Sequence, residues 1–553
     1  MQNDPVPAEQ DMTVWDILER SARRAPDAPA IDFLGARLTY RAVWRQAERA
    51  AAGLLDQGVR KGDRVALCLP NTPYSVIMFF AILRIGAVVV NVNPLYADDE
   101  MRRIFANSGA RMVVTADVRM IFDHVRHGAG DTGVEKIVIC PIDQALPKLK
   151  AALYRVAKRH DIVPRCAGPR HVYYGTLIES RTVLPRVPID PARDVAVLQY
   201  TGGTTGLPKG AMLSHRNIVA NAIQIDHHLG GQLPTPQRFL GVLPLFHVFA
   251  LQAVMMLPIL RGEAIYLQPR FDAGAVLKCL RRARITALPA VPSILTALLK
   301  ENTVRREDFA SLRLVCSGGA PLPPALRARF EHFTGSSVIE GYGLSETSPV
   351  LTLTPIGAPR DGSCGTVLEG TTLQIRDPED SSRVLPQGMA GEVCVRGPQV
   401  MLGYWPSEET ADPLTEDGFL RTGDVGYLDR DGYLFLVDRL KDMIICGGYK
   451  IYPRTVEDAL YLHPAVSEVI VIGVPDAYWG QVPVAYVALK PGAQVDEGAL
   501  LAHLERHLSK IERPREILFR PTLPRTMIGK LSKKDLIRQE GLEASLSASR
   551  GPA

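Results

Sequence analysis

The chain has 553 residues, which exceeds the size at which a single hydrophobic core stops growing, so at least two domains are expected. Hydrophobic residues make up 46% of the sequence and charged residues 22%, as is usual for a soluble globular protein. The formal net charge of +5 is small for this length, so nucleic acid is not expected as a partner.

The eight cysteines are scattered and form no Cys-x-x-Cys pair. Neither a zinc site nor a disulfide framework is therefore predicted, and a reducing compartment is favoured. Residues 1–12 are polar and lack the pattern of a secretory signal. The apolar stretches 76–90 and 248–260 are interrupted by Arg84 and Gln252 and are too short for a membrane span. These features predict a cytoplasmic protein.

Short runs rich in β-branched residues alternate with helical patterns through about residue 340. Such alternation predicts parallel sheets covered by helices. The predicted strands of this part are residues 65–69, 87–92, 112–115, 136–140, 195–200, 264–267, 285–288 and 314–317.

Residues 146–160 predict a basic amphipathic helix, because Leu146, Leu149, Leu153 and Val156 follow a helical spacing among lysines and arginines. One interpretation is that this helix lies on an anionic membrane, peripherally on its inner face. The other is that the helix packs on its own domain and exposes a solvated basic face. The sequence leaves both open.

From about residue 362 to residue 437 the pattern changes to closely spaced short strands with Asp-Gly turns, which predicts a small antiparallel or barrel-like unit. A compact α/β pattern follows residue 439, with strands near 469–474 and 484–489 and a helix near 497–508. We therefore predict an N-terminal domain of residues 1–438 and a C-terminal domain of residues 439–553.

The segment 200–210 is the most informative part of the sequence. Its glycines let the backbone approach a ligand closely, its threonines offer hydroxyl donors and Lys209 supplies a cation, which together suit a polyphosphate. It is not a Walker P-loop, because Pro208 precedes the lysine and Gly210 follows it. The alternative is a Gly/Thr hairpin without a ligand.

A second motif occupies residues 340–349 and follows a strand at 338–339. Its glycines permit close approach, Tyr342 can stack on a base, and Glu346 beside Ser345 offers a hard oxygen ligand for Mg²⁺. Taken alone, this segment is better explained as a strand-to-loop turn whose carboxylate is hydrogen-bonded within the protein. The interpretation as a nucleotide site depends on its occurrence with the first motif.

Three further motifs lie at residues 421–424, 438–450 and 524–530. Carboxylates such as Asp424 bind ribose hydroxyls well, because both oxygens accept hydrogen bonds. A plain Asp-Gly turn is the alternative for the first of these segments. For Lys530, in the last segment, the alternative is a solvated lysine on a loop.

Together these motifs closely resemble those of the adenylate-forming superfamily, which contains acyl-CoA synthetases, firefly luciferase and peptide-synthetase adenylation domains. The resemblance also includes residues 39–40 and 59–64, so it covers essentially the whole chain. Segments 93–96 and 243–251 are most similar to the bacterial medium- and long-chain fatty acyl-CoA ligases.

Some positions depart from the relatives. Gly202 replaces a serine that many members carry, and Leu251 stands where some long-chain enzymes have a gating tryptophan, so chain length is left open. Ile445 and Gly447 stand where luciferase and the coumarate ligases place lysines, which counts against those two activities.

The resemblance implies a role for each matching residue. The residues implied in ATP and AMP binding are Thr201, Gly202, Gly203, Thr204, Thr205, Gly206, Lys209, Gly319, Ala320, Glu340, Gly341, Tyr342, Gly343, Ser345, Asp424, Arg439 and Lys530. The residues implied in the other roles are Lys530, Glu346 and Lys209 for catalysis, Glu346 and Thr201 for the metal, Gly447 and Gly448 for CoA, His247, Leu251 and Gly318 for the acyl pocket, and Lys441 for the hinge.

The implied fold class is α/β, with a large N-terminal domain of stacked α/β subdomains, a small barrel-like unit and a small mobile α+β C-terminal domain. The implied reaction is that of an acid–thiol ligase, which uses ATP, Mg²⁺ and CoA to convert a medium- or long-chain fatty acid into acyl-AMP and then acyl-CoA. A homodimer is a candidate assembly. The alternatives are a fatty acyl-AMP ligase that loads a carrier protein, an aryl- or dicarboxylate–CoA ligase, and a non-catalytic acyl- or nucleotide-binding sensor.

Overall fold

The structure, a computed structural model, describes residues 9–166, 168–201, 209–231, 236–406, 413–447, 449–525 and 531–542. Backbone proximity divides the chain into a first unit, Met1–Thr372 with Arg396–Pro413, and a second unit, Leu373–Val395 with Leu414–Ala553. The short strands predicted between residues 362 and 437 are therefore divided between the two units. The domain boundary at residue 438 stays a prediction.

The strands are short, and most are buried. In chain order they are β1 (Pro29–Phe33), β2 (Ala36–Thr39), β3 (Arg64–Cys68), β4 (Val88–Asn91), β5 (Met112–Ala116), β6 (Lys136–Cys140), β7 (His171–Tyr173), β8 (Val195–Thr201), β9 (Lys209–Ser214), β10 (Arg238–Gly241), β11 (Ala264–Leu267), β12 (Ala287–Ala290), β13 (Leu314–Ser317), β14 (Ser337–Gly343), β15 (Val350–Leu353), β16 (Ser363–Val367), β17 (Thr372–Arg376), β18 (Gly391–Arg396), β19 (Tyr404–Trp405), β20 (Leu420–Leu428), β21 (Tyr433–Arg439), β22 (Ile444–Cys446), β23 (Tyr449–Ile451), β24 (Val466–Asp476), β25 (Gly480–Leu489) and β26 (Glu516–Phe519).

The helices connect and cover these strands. They are α1 (Val14–Arg24), α2 (Tyr40–Asp56), α3 (Pro73–Arg84), α4 (Asp98–Ser108), α5 (Arg119–Gly128), α6 (Lys148–Ala157), α7 (Tyr174–Leu177), α8 (His215–Leu229), α9 (Val248–Ala250), α10 (Leu257–Arg261), α11 (Ala273–Ala283), α12 (Pro292–Lys300), α13 (Pro324–Thr334), α14 (Pro453–Tyr461), α15 (Glu497–Leu504) and α16 (Lys533–Gln539). Within the described ranges, no helix combines the length and the apolar composition that a membrane crossing requires.

One sheet of the first unit has the strand order β19-β9-β8-β4-β3-β5-β6-β7. The strands from β8 to β7 run parallel, whereas β9 is antiparallel to β8 and β19 is antiparallel to β9. Phe105 of α4 and Phe122 of α5 are buried in the same apolar cluster as Ala66 and Val90 of the central strands. Helices thus cover the parallel strands, as their β-branched composition predicts.

Another sheet of this unit has the order β16-β15-β14-β13-β12-β10-β11-β1-β2. The strands β1, β11, β10, β12, β13 and β14 are parallel, and β15, β16 and β2 continue the sheet antiparallel. Phe239, Leu314 and Ile339 of its strands are buried against Ile225 and Leu229 of α8. This confirms the predicted α/β class with parallel sheets.

The second unit carries strands in the order β17-β18-β20-β21, in which β20 is antiparallel to both β18 and β21. Its C-terminal sheet has the order β23-β22-β25-β24, with β26 parallel to β25. The predicted strands at 469–474 and 484–489 lie within β24 and β25, whereas the helix predicted at 497–508 ends at Leu504.

His215 begins α8, directly after the strand that carries Lys209, and its side chain is fully buried. Its Nδ1 accepts a hydrogen bond from the backbone N–H of Val14, 3.3 Å away, which ties the start of α1 to the start of α8. Burial disfavours the imidazolium and lowers the pKa of His215 to about 4. The ring is therefore neutral in the folded protein at neutral pH.

This pKa makes the stability of the first unit depend on pH. Between the folded pKa of about 4 and the ordinary value of 6.5, the unfolded chain binds a proton that the folded chain does not. The free energy of unfolding should therefore fall by up to about 3 kcal/mol as the pH drops through this window. Denaturation midpoints measured from pH 7 to pH 4 should show a steeper decline in the native protein than in His215→Gln. His227→Gln, at an exposed histidine, is the matched control. An equal decline in the native protein, in His215→Gln and in His227→Gln would contradict the prediction.

Candidate active site

The hairpin of β8 and β9 holds the segment predicted to bind phosphate. Thr201 pairs with Lys209, and Tyr200 pairs with Gly210. The loop residues Gly202, Gly203, Thr204, Thr205 and Gly206 lie outside the described residues. The structure therefore gives the two ends of the loop, which are joined by strand pairing.

Aromatic residues pack beside this hairpin base. The Tyr200 hydroxyl donates to the side chain of Asn107 at 2.6 Å, and the indole N–H of Trp405 donates to the backbone carbonyl of the same residue at 2.9 Å. A Cβ atom at Gly210 would lie 3.3 Å from the Tyr200 ring and 3.7 Å from the Trp405 side chain. Glycine at position 210 therefore lets the Tyr200 ring approach the strand closely.

Tyr404 links the first two motifs. Strand β19 pairs with β9, so the Tyr404 ring lies 5.7 Å from Lys209 Nζ. The Tyr404 hydroxyl donates to Oε1 of Glu346 at 2.7 Å. The backbone N–H of Met401 donates to the Glu346 carbonyl at 2.8 Å. A cation over the ring and a carboxylate at the hydroxyl thus contact one tyrosine, although they come from distant segments.

Burial raises the pKa of Tyr404 well above its ordinary value, and the neighbouring Glu346 carboxylate raises it further. The phenol therefore stays protonated and keeps donating to Glu346. In the described part of the chain, no group of three or more His, Cys, Asp or Glu side chains is arranged to hold a metal ion. Mg²⁺ that is bound together with substrate phosphates needs only one or two carboxylates, so the oriented, half-buried Glu346 fits such an ion.

The carboxyl ends of β13 and β14 bring further predicted residues together. These strands are parallel, with Ser317 opposite Glu340, so Gly318, Gly319 and Ala320 leave the sheet beside Gly341, Tyr342 and Gly343. Glu340 Oε1 accepts a hydrogen bond from the N–H of Leu322 at 3.2 Å, which closes the loop after β13 onto β14. In parallel α/β sheets, ligands commonly bind at this edge.

The predicted acyl-pocket residues also meet. His247 precedes α9, and its Nδ1 accepts a hydrogen bond from the N–H of Phe249 at 3.3 Å. The Phe249 ring lies 3.2 Å from the position of a Cβ at Gly318. Leu251 is fully buried and begins a π-helical segment, Leu251–Met256, a form that is rare and common at functional sites. The apolar run after His247 is therefore next to the end of β13.

In the second unit, Asp424 and Arg439 are opposite each other on β20 and β21. Arg439 Nε lies 2.9 Å from Asp424 Oδ1, and the Asp424 side chain is only 7% exposed. The two residues predicted to hold the ribose thus form an ion pair that fixes the orientation of the carboxylate.

A cluster of charged side chains surrounds the predicted hinge at Lys441. The Asp438 carboxylate accepts hydrogen bonds from the N–H groups of Arg439 and Arg454, both at 2.7 Å. Lys533 of α16 lies 3.2 Å from Glu457 of α14, and both side chains are largely buried. Burial raises the pKa of Asp438, whereas the Lys533 charge opposes that shift. These residues connect the chain before Lys441 with the body that follows it.

Gly447 has a left-handed backbone with a φ of 56°, and a Cβ there would lie 2.5 Å from the Trp479 ring. Its N–H donates to the Trp479 carbonyl at 2.8 Å. A side chain larger than hydrogen would therefore displace the indole. Two other predicted residues, Gly448 and Lys530, lie outside the described residues.

Sequence reasoning missed Tyr404, Asn107 and Trp479. Each is a single aromatic or amide residue in a segment without a recognised motif, and each contacts a motif residue only after long-range strand or helix packing. The Gly-Tyr-Trp sequence at 403–405 was the one available signal.

Comparisons with known proteins identify the family of this chain. Residues 18–405 match the family model of the AMP-binding enzyme, and residues 455–530 match that of the AMP-binding enzyme C-terminal domain. The long-chain-fatty-acid–CoA ligase of Bacillus subtilis is 38% identical over 96% of this chain and 94% of its own length. The ligase of the same name from Salmonella typhimurium is 35% identical, with 96% of each chain covered.

Among solved structures, ATP-bound MatB from Rhodopseudomonas palustris superposes with a TM-score of 0.81 at 28% identity, covering 96% of this chain and 100% of that one. The resemblance predicted from the motifs is therefore confirmed in sequence and in fold. Because the family model matches residues 18–405 and these relatives cover 96% of this chain, the chain belongs to the AMP-binding enzyme family.

Proposed function

We propose that this protein is a fatty acid–CoA ligase that converts a medium- or long-chain fatty acid, ATP and CoA into acyl-CoA, AMP and pyrophosphate. The observation that carries the proposal is the placement of Lys209 and Glu346 around Tyr404 at the base of the phosphate-loop hairpin. The curated relatives named above supply the substrate class.

The first step gives the acyl group a better leaving group. A carboxylate is a poor acyl donor, because oxide would have to leave. In the proposed reaction a carboxylate oxygen attacks the α-phosphorus of ATP, and pyrophosphate departs with the electrons of the broken P–O bond. Negative charge then accumulates around the α-phosphate. We propose that Lys209, Lys530 and the hydrogen-bond donors of the 202–206 loop stabilise this charge.

A bound Mg²⁺ would supply further charge neutralisation for the phosphates, with Glu346 as its carboxylate ligand and Thr201 as the second proposed ligand. Tyr404 fixes one oxygen of Glu346, which leaves the orientation of the carboxylate defined. Asp424, oriented by Arg439, is proposed to accept hydrogen bonds from the ribose.

In the second step, the CoA sulfur attacks the acyl carbonyl, and AMP leaves with the electrons of the broken C–O bond. The C-terminal domain is proposed to rotate about Lys441 between the steps, so that Lys530 withdraws and Gly447 and Gly448 face the pantetheine arm. The lack of space for a side chain at Gly447 is compatible with a narrow thiol channel. A homodimer and contact between residues 146–160 and a membrane are also proposed.

The substrate class predicts a dependence on chain length. Each methylene buried in an apolar tunnel contributes about 0.8 kcal/mol, so kcat/KM should rise about fourfold per added carbon until the tunnel is full. Mass-spectrometric detection of the thioester, with acids from acetate to palmitate, tests this. Benzoate, coumarate and a dicarboxylate serve as competing classes, and a maximum for any of these or for acetate would overturn the assignment.

The same assay separates the remaining alternatives. A second reaction replaces CoA with a phosphopantetheinylated carrier protein. Acylation of the carrier protein but not of CoA would identify a fatty acyl-AMP ligase. Failure to form either acyl-AMP or thioester with any acid would indicate a binding protein without turnover.

A further inference from the structure

Helix α6 presents its apolar side to solvent. Leu149, Leu153 and Val156 are 75%, 62% and 76% exposed, although they follow a helical spacing that normally faces a core. Ala151 on the opposite side is buried, and Tyr154 is half-buried. The helix thus packs against the first unit with the side that carries Ala151, and its apolar stripe faces solvent.

Basic side chains border this stripe on both sides. At the helical repeat of 3.6 residues, Lys150 lies on one flank, and Lys148 and Arg155 lie on the other. Lys158 and Arg159 follow at the C-terminal end, so five basic residues stand against Asp143 and Asp161 between positions 143 and 161. The local charge is therefore positive around an exposed apolar strip.

The neighbouring contacts hold the helix in this orientation. Lys150 Nζ donates to the Leu34 carbonyl at 2.6 Å, and Arg155 forms an ion pair with Asp143. Arg119 Nε donates to the His160 carbonyl at 2.9 Å. The loop that follows α6 is thereby tied to the start of α5.

We propose that Leu149, Leu153 and Val156 of α6 insert into the interfacial region of an anionic lipid membrane, with Lys148 and Arg159 contacting lipid phosphates. Two features select this occupant over a protein partner. A strip of three aliphatic side chains on a ten-residue helix is small for a stable protein interface, and the surrounding charge complements a surface of anionic headgroups.

The proposal does not depend on the proposed enzymatic function, because binding can be measured without substrates. The full chain should sediment with vesicles of phosphatidylcholine and phosphatidylglycerol and much less with phosphatidylcholine alone. Raising NaCl from about 0.01 M to about 1 M shortens the Debye length from about 30 Å to about 3 Å and should release most of the protein.

The triple substitution Leu149→Ser, Leu153→Ser and Val156→Ser should weaken binding to the anionic vesicles by roughly tenfold or more. Lys148→Glu with Arg159→Glu should also weaken it and should flatten its dependence on salt. Leu462→Ser, at a position 64% exposed in the second unit, and Lys300→Glu, at an exposed lysine of α12, are the matched controls and should bind as the native protein does.

The circular-dichroism spectrum and the thermal denaturation midpoint should be the same in all these variants, which separates loss of membrane binding from misfolding. Equal vesicle binding by the native protein and both α6 variants would overturn the proposal, as would absence of binding by the native protein. A native dimer that the triple substitution converts to a monomer, without vesicle binding, would assign the strip to a second copy of the chain instead.

Discussion

Replacing Lys530 with alanine should nearly abolish formation of acyl-AMP while largely sparing conversion of supplied acyl-AMP to acyl-CoA. The proposed role of this lysine is to stabilise charge that grows at the α-phosphate in the first step. Loss of one such preorganised group costs about 10²-fold to 10³-fold in rate. Pyrophosphate exchange measures the first step, and thioester formation from synthetic acyl-AMP measures the second.

Lys534→Ala provides the comparison, since it removes a nearby lysine from the first turn of α16. Both half-reactions should stay close to native in that variant. If Lys530→Ala slows the two half-reactions equally, the lysine acts through folding or general substrate binding, and the assignment fails.

Replacing Glu346 with alanine should raise the magnesium concentration needed for activity and reduce pyrophosphate exchange by roughly 100-fold. A metal that neutralises developing charge contributes several kcal/mol to the transition state, and removal of its carboxylate ligand weakens that contribution. The substitution also removes the acceptor that lies 2.7 Å from the hydroxyl of the half-buried Tyr404.

Glu369→Ala is the matched control, because that carboxylate is 78% exposed and pairs with His227 on the surface. Tyr404→Phe separates the two effects of losing Glu346, because it removes the hydroxyl but leaves the carboxylate. An unchanged magnesium titration in Glu346→Ala would remove this residue from the metal site.

The sequence was sufficient where local patterns decide the structure. Runs of β-branched residues predicted the buried parallel strands, and the Asp-Gly turns predicted the antiparallel strands after residue 362. The sequence did not predict that Tyr404 lies beside Lys209 and Glu346. Strand β19 has only two residues and no periodicity, and its partner strand β9 lies far away in the chain. Pairing of that kind is set by tertiary packing.

In α6, the spacing of the apolar residues predicted the helix but not the side that it buries. The spacing of Leu149, Leu153 and Val156 predicts a stripe, but the stripe alone does not say whether it faces the core or solvent. The roles of all the predicted site residues stay predictions. For Lys530, Gly448 and the loop 202–206 the positions are not described either, since those residues lie outside the described ranges.

The hydrogen bond between the Asp438 carboxylate and Arg454 affects the proposed rotation between acyl-AMP formation and thioester formation. Asp438 precedes the proposed pivot and Arg454 follows it, so a rotation there must break their 2.7 Å hydrogen bond. Hydrogen bonds to charged groups are worth about 1.5–3 kcal/mol, and the Lys533 charge nearby adds to the attraction. The proposed rotation therefore loses this contact, and either new contacts in the other orientation or the binding of substrates must compensate for the loss.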